Sequence, residues 1–67
     1  MENFSKLNKI QKKFFLWFVN SQEAGAVINE ANIECLNFNK SIALLKEARG
    51  LSEVGEKVKK EILNIFV

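Results

Sequence analysis

KKFFLWFV, residues 12–19, sets two lysines ahead of six consecutive apolar residues, four of them aromatic. How this run sits on a helix decides the fold. Six residues fall far short of the roughly 20 that a membrane-spanning helix needs. The run is also shorter than the apolar region of about 7 to 15 residues in a signal peptide. Working outward at helical spacing, Phe4, Leu7, Ile10, Phe14, Trp17 and Phe18 share one side, and Lys6, Lys9 and Lys13 hold much of the other. Phe15, Leu16 and Val19 fall outside this stripe, so the end of the segment is apolar almost all round, unlike a surface helix. Three accounts compete: an amphipathic helix lying on a membrane, a stacking platform for nucleic acid, and core. A short chain needs its aromatics inside, so Phe14, Trp17 and Phe18 are expected in the core. The surplus, Leu16 with Phe15 and Val19, and Trp17 beside them, is the expected interface.

Composition narrows the chemistry. Sixty-seven residues make a single domain (1–67) with little margin of stability, and 48% of them are hydrophobic. Cys35 is the only cysteine, so no disulfide forms within the chain, and without His or Asp no self-contained metal site is expected. General acid/base or triad chemistry would have to come from Glu, Lys, Ser and one Cys, so the chain is expected not to be an enzyme and to need no cofactor. Cys35 itself is expected to act as a small hydrophobe. No small-molecule substrate is expected either. The net charge of +2 is low for a domain held mainly by phosphates. Its distribution is uneven, with basic ends and an acidic middle carrying Glu23, Glu30 and Glu34. Abundant Lys, Asn, Ile and Phe with a single Arg is the usage of an AT-rich genome, bacterial or phage. A lone cysteine and no export signal point to the cytoplasm.

Apolar spacing near 3.6 dominates the whole chain, and no Pro interrupts it. The expectation is an all-α, compact domain of about four short helices, at about 4–19, 22–31, 40–49 and 55–66. The first starts at Asn3 or Ser5 and breaks at Asn20-Ser21. The second takes Ser21 as its cap and Glu23 in its first turn, with Ala24, Val27, Ile28 and Ala31 inward. Residues 33–38 read equally well as extended or as a turn. Asn39 is expected to cap the third helix, carried by Ile42, Leu45 and Ala48 and stopped at Arg49-Gly50. The fourth turns Val58, Ile62, Ile65 and Phe66 inward.

LSEVGEKVKKEIL, residues 51–63, is the most specific local pattern. With the helix expected at 40–48 before it, this stretch resembles the second half of a helix-hairpin-helix motif, through Leu51, Val54, Gly55, Lys57, Val58, Ile62 and Leu63. Glu53 stands where that family has the first hairpin glycine. The resemblance implies that backbone amides at Val54 and Gly55, helped by Lys57 and Lys60, hold a DNA phosphate without reading bases. Residues 24–51 also resemble, more loosely, a winged helix-turn-helix. That likeness implies DNA-facing roles for Asn37, Asn39, Lys40, Ser41 and Lys46. The expected partner is therefore nucleic acid or, through the apolar end of the first helix, another protein. That protein would be a host protein under control of a phage product, or a second copy in a homodimer.

Overall fold

In a computed structural model of the protein, residues 2–22, 27–33 and 38–66 are described. They form four α-helices in chain order: α1 (Glu2–Ser5), α2 (Lys9–Gln22), α3 (Phe38–Glu47) and α4 (Glu53–Phe66). No strand occurs among the described residues, and the all-α expectation holds. The placement of the helices along the chain is different.

The helix expected over 4–19 is two helices. After α1 the chain turns, with the Lys6 amide bonding to the Asn3 carbonyl and the Leu7 amide to that of Phe4. Helix α2 then starts afresh behind a reciprocal cap. The Gln11 amide donates to Asn8 Oδ1 at 2.8 Å, and the Asn8 amide donates to Gln11 Oε1 at 2.9 Å. This is a capping box, in which two otherwise unpaired amides are satisfied by each other's side chains. The restart breaks the phase of the stripe begun by Phe4 and Leu7. The buried face of α2 is Gln11, Phe15, Phe18 and Val19, one residue on from the expected Phe14, Trp17 and Phe18. One residue is about 100° of rotation. Phe15 is completely buried (0% exposed), with its ring 6.4 Å from Phe4 and 5.1 Å from Phe38. Trp17, expected inside, is 56% exposed.

The helix expected over 22–31 is not present at residues 27–31; Glu23 and Ala24 lie outside the described residues. Here asparagine side chains take the backbone bonds that a helix would have supplied. Asn20, expected at a break, lies inside α2; its Nδ2 donates to the Ile28 carbonyl and its Oδ1 accepts from the Ile28 amide, both at 2.8 Å. Asn29 Oδ1 accepts from the Ala31 amide at 2.9 Å, and Asn32 Oδ1 accepts from the Asn29 amide at 2.8 Å. Short polar side chains that bond the local backbone favour turns over helix. Pinned this way, residues 27–33 deliver Ile28 and Ile33 to the core. Residues 34–37, and with them Cys35 and Asn37, lie outside the described residues.

Helix α3 contributes Phe38, Ile42 and Leu45 at helical spacing, and α4 contributes Val58 and Ile62. Helix α3 already includes Phe38, so Asn39 is within it rather than capping it. It ends at Glu47, and Gly50, at φ +77°, supplies the left-handed backbone for the reversal. Ser52, not Gly55, marks the start of α4: its Oγ accepts from the Gly55 amide at 3.1 Å, and its carbonyl accepts from the Glu56 amide at 2.8 Å. Phe66 closes the core edge-on against Phe38, with ring centres 5.2 Å apart.

Candidate functional site

The rotation of α2 turns an apolar face outward. Ile10 is 70% exposed and Trp17 56%, with the half-buried Phe14 between them one helical turn from each. The Phe14 and Trp17 rings pack tilted at 39°, with centres 5.7 Å apart. Across from them stand Leu51, just before α4, and Val54 and Val58 in its first turns, and Val54 is 72% exposed. Between the two walls lies a groove of about 580 Å³. Lys13 is the single ionisable residue in its lining, on the lip between Ile10 and Trp17.

Gly55, which is buried, forms the floor beside Phe14. A methyl group added there would lie 3.4 Å from the Phe14 ring, 3.3 Å from Leu51 Cβ and 3.3 Å from Ser52 Oγ. The tight contacts are with the preceding turn, while the Phe14 ring lies at ordinary van der Waals distance. At the far end of this contact, Gln11 Nε2 donates to Glu61 Oε1 at 3.4 Å.

The residues expected to bind nucleic acid lie along α4 and differ in exposure. Val54 points into the groove, while Gly55 is buried beneath it. The Gly55 amide, a backbone donor that a hairpin phosphate site requires, is already bonded to Ser52 Oγ. Glu53 and Glu56 occupy the first turn of α4 and place negative charge there. Lys57 and Lys60 are exposed, three and six positions beyond Val54, and turn progressively away from the groove.

The interface expected from α2 also divides. Phe15 and Val19 are core residues and unavailable to a partner, because the capping box rotates them inward. Leu16 is half-buried and packs against the core from its edge. Trp17 alone of the four is openly exposed. The short first helix of a helix-turn-helix is not formed over 27–31, for the reason given by the asparagine turns. Within α3, Asn39, Lys40 and Lys46 are exposed and Ser41 is buried.

Ile10, Phe14, Leu51, Val58 and Lys13 were not expected in a site. The pattern Asn8-Lys9-Ile10-Gln11 carried the necessary signal, since Asn followed three residues later by Gln marks a helix start.

A second cleft, of about 1050 Å³, opens at the α3–α4 connection and is lined by Lys46, Glu47, Arg49, Glu56 and Lys59 among others. Its charges nearly cancel. Lys59 is committed to the fold: Nζ donates to the Ala48 carbonyl at 2.7 Å and lies 3.8 Å from Glu56 Oε2, closing the end of α3. Among the described residues no group of three potential ligands could hold a metal ion, and no helix is long and apolar enough to cross a membrane. No protein-family model, curated protein or solved structure matches this chain.

Proposed function

We propose that the protein acts by binding another protein, and that the groove between α2 and the start of α4 is where it binds. The observation that carries this is the clustering of Ile10, Trp17 and Val54, three of the five large apolar side chains most exposed among the described residues, around one concave surface. Scattered apolar residues are ordinary on a surface, whereas a contiguous patch with an aromatic anchor and a polar lip is the composition of an interface. A protein partner fits better than a nucleic acid. Phosphate-driven binding draws on several cations at once, and the lining offers one. The likeness to a helix-hairpin-helix remains the ground for the alternative, in which Lys57 and Lys60 contact a phosphate backbone. The absence of His and Asp supports a non-catalytic role, and the unpaired Cys35 a cytoplasmic one.

Capture on immobilised protein separates the two. Val54→Glu places a carboxylate in the groove at a position in the first turn of α4, where the helix dipole favours it, so the fold is retained. The expected result is a protein held by the wild type and released by Val54→Glu. Retention of nucleic acid, unaffected by Val54→Glu and abolished by Lys57→Glu, would establish the alternative instead.

A further inference from the structure

The groove's lining specifies what fills it, and the following rests on the groove being the binding face. We infer that its occupant is an amphipathic α-helix of a partner protein. That helix presents apolar side chains at i, i+3 or i+4, and i+7, and sets a carboxylate against Lys13.

One wall of the groove is α2 from Ile10 to Trp17; the other is the connection at Gly50, Leu51 and Ser52 followed by the first turns of α4, with Val54 and Val58. Along α2 from Gln11 onward the backbone donors and acceptors are used within the helix, and in the other wall Ser52 Oγ accepts from the Gly55 amide. An extended peptide laid along α2 would bury its amides against Ile10, Phe14, Lys13 and Trp17, none of which accepts a hydrogen bond. A helix arrives with its backbone already paired, and docks through side chains alone. The α2 wall spans two helical turns, about 10 Å, which matches three successive apolar anchors on an incoming helix. Phe14, Val58 and Gly55 form the floor that the central one would meet.

Charge fixes the flank. Lys13 has no hydrogen-bond or ion-pair partner among the described residues. Lys9 stands exposed one turn before it and Lys57 one turn beyond Val54. Docking an apolar helix partly desolvates the Lys13 ammonium, and a carboxylate on the partner offsets that loss. The other occupants fit less well. A lipid surface is met by a protruding face rather than a concave one. A second copy of this chain offers the same lip with the same lysine.

The test uses the full chain and a displayed library of random peptides about four helical turns long, with a poly-dT oligonucleotide and anionic phosphatidylglycerol vesicles as competing probes. Trp17 is the only tryptophan, so its emission reports directly on the groove. The expected outcome is a set of selected peptides with apolar residues at i, i+3 or i+4, and i+7 and an excess of Asp and Glu. They shift Trp17 emission to shorter wavelength and lose about tenfold or more in affinity for Lys13→Glu, which selects basic peptides instead. Selected peptides that shift the emission but lack helical spacing, or whose charge preference is unmoved by Lys13→Glu, overturn the inferred occupant and leave the groove as the binding face. An emission shift with the oligonucleotide or the vesicles alone, or one that follows self-association on concentration, overturns the occupant and names its replacement. No shift with any probe overturns occupant and binding face together.

Discussion

The two faces of α2 are built from the same kinds of residue and do opposite things. Inward, Phe15, Phe18 and Val19 join Phe4, Phe38 and Ile42 in the core. Outward, Ile10, Phe14 and Trp17 line a groove with one lysine on its lip. Hydrophobicity does not distinguish them, and neither does spacing, because Phe14, Trp17 and Phe18 make as good a stripe as Phe15, Phe18 and Val19. The choice is made by what surrounds the run: the cap at Asn8 and Gln11 that sets where the helix begins, and the ring of Phe38 that receives Phe15. In a run that is apolar all round, helix phase is decided by the ends and the partners.

The contrast between the faces can be broken from the inside. Phe15→Ala is expected to cost about 3–5 kcal/mol, much of what a chain of this size has, and to show as a collapsed or lost denaturant midpoint. Asn20→Ala leaves the Ile28 amide and carbonyl without their side-chain partner and should cost about 1–3 kcal/mol. Hydrogen exchange would show that loss first across residues 27–33. Asn8→Ala removes one half of the capping box and is expected to cost about 1 kcal/mol, read as a small downward shift in midpoint. The smallest effect belongs to the outer face. Trp17→Ala is expected to change stability by no more than about 0.5 kcal/mol while abolishing groove binding. A cost near that of Phe15→Ala would show that Trp17 is a core residue after all.

The helical class was legible because apolar spacing near 3.6 recurs along the whole chain and Pro is absent. Helices α3 and α4 were placed within about two residues, their limits moved by Gly50 and by the hydroxyl of Ser52. The helix expected at 22–31 misled because Val27, Ile28 and Ala31 do fall at helical spacing. The local bonds of Asn20, Asn29 and Asn32 outweigh it, and periodicity does not register them. The candidate site was half legible. Val54 and Gly55 were singled out for phosphate and Trp17 for a protein, and the fold brings Val54 and Trp17 to opposite walls of one groove, with Gly55 as its floor. That meeting depends on the crossing of α2 and α4, a distant relation that no local pattern encodes.

The capping box at Asn8 also predicts how this chain tolerates changes in length. One residue inserted between Leu7 and Asn8 lengthens only the turn after α1, because the box travels with α2 and carries its rotation along. The same residue inserted after Gln11 turns the start of the helix by about 100° relative to its end. Ile10 would then leave the groove and Gln11 the core, while Phe15 and Trp17 kept their places. Two insertions only a few residues apart should therefore differ sharply, the first nearly silent and the second disabling.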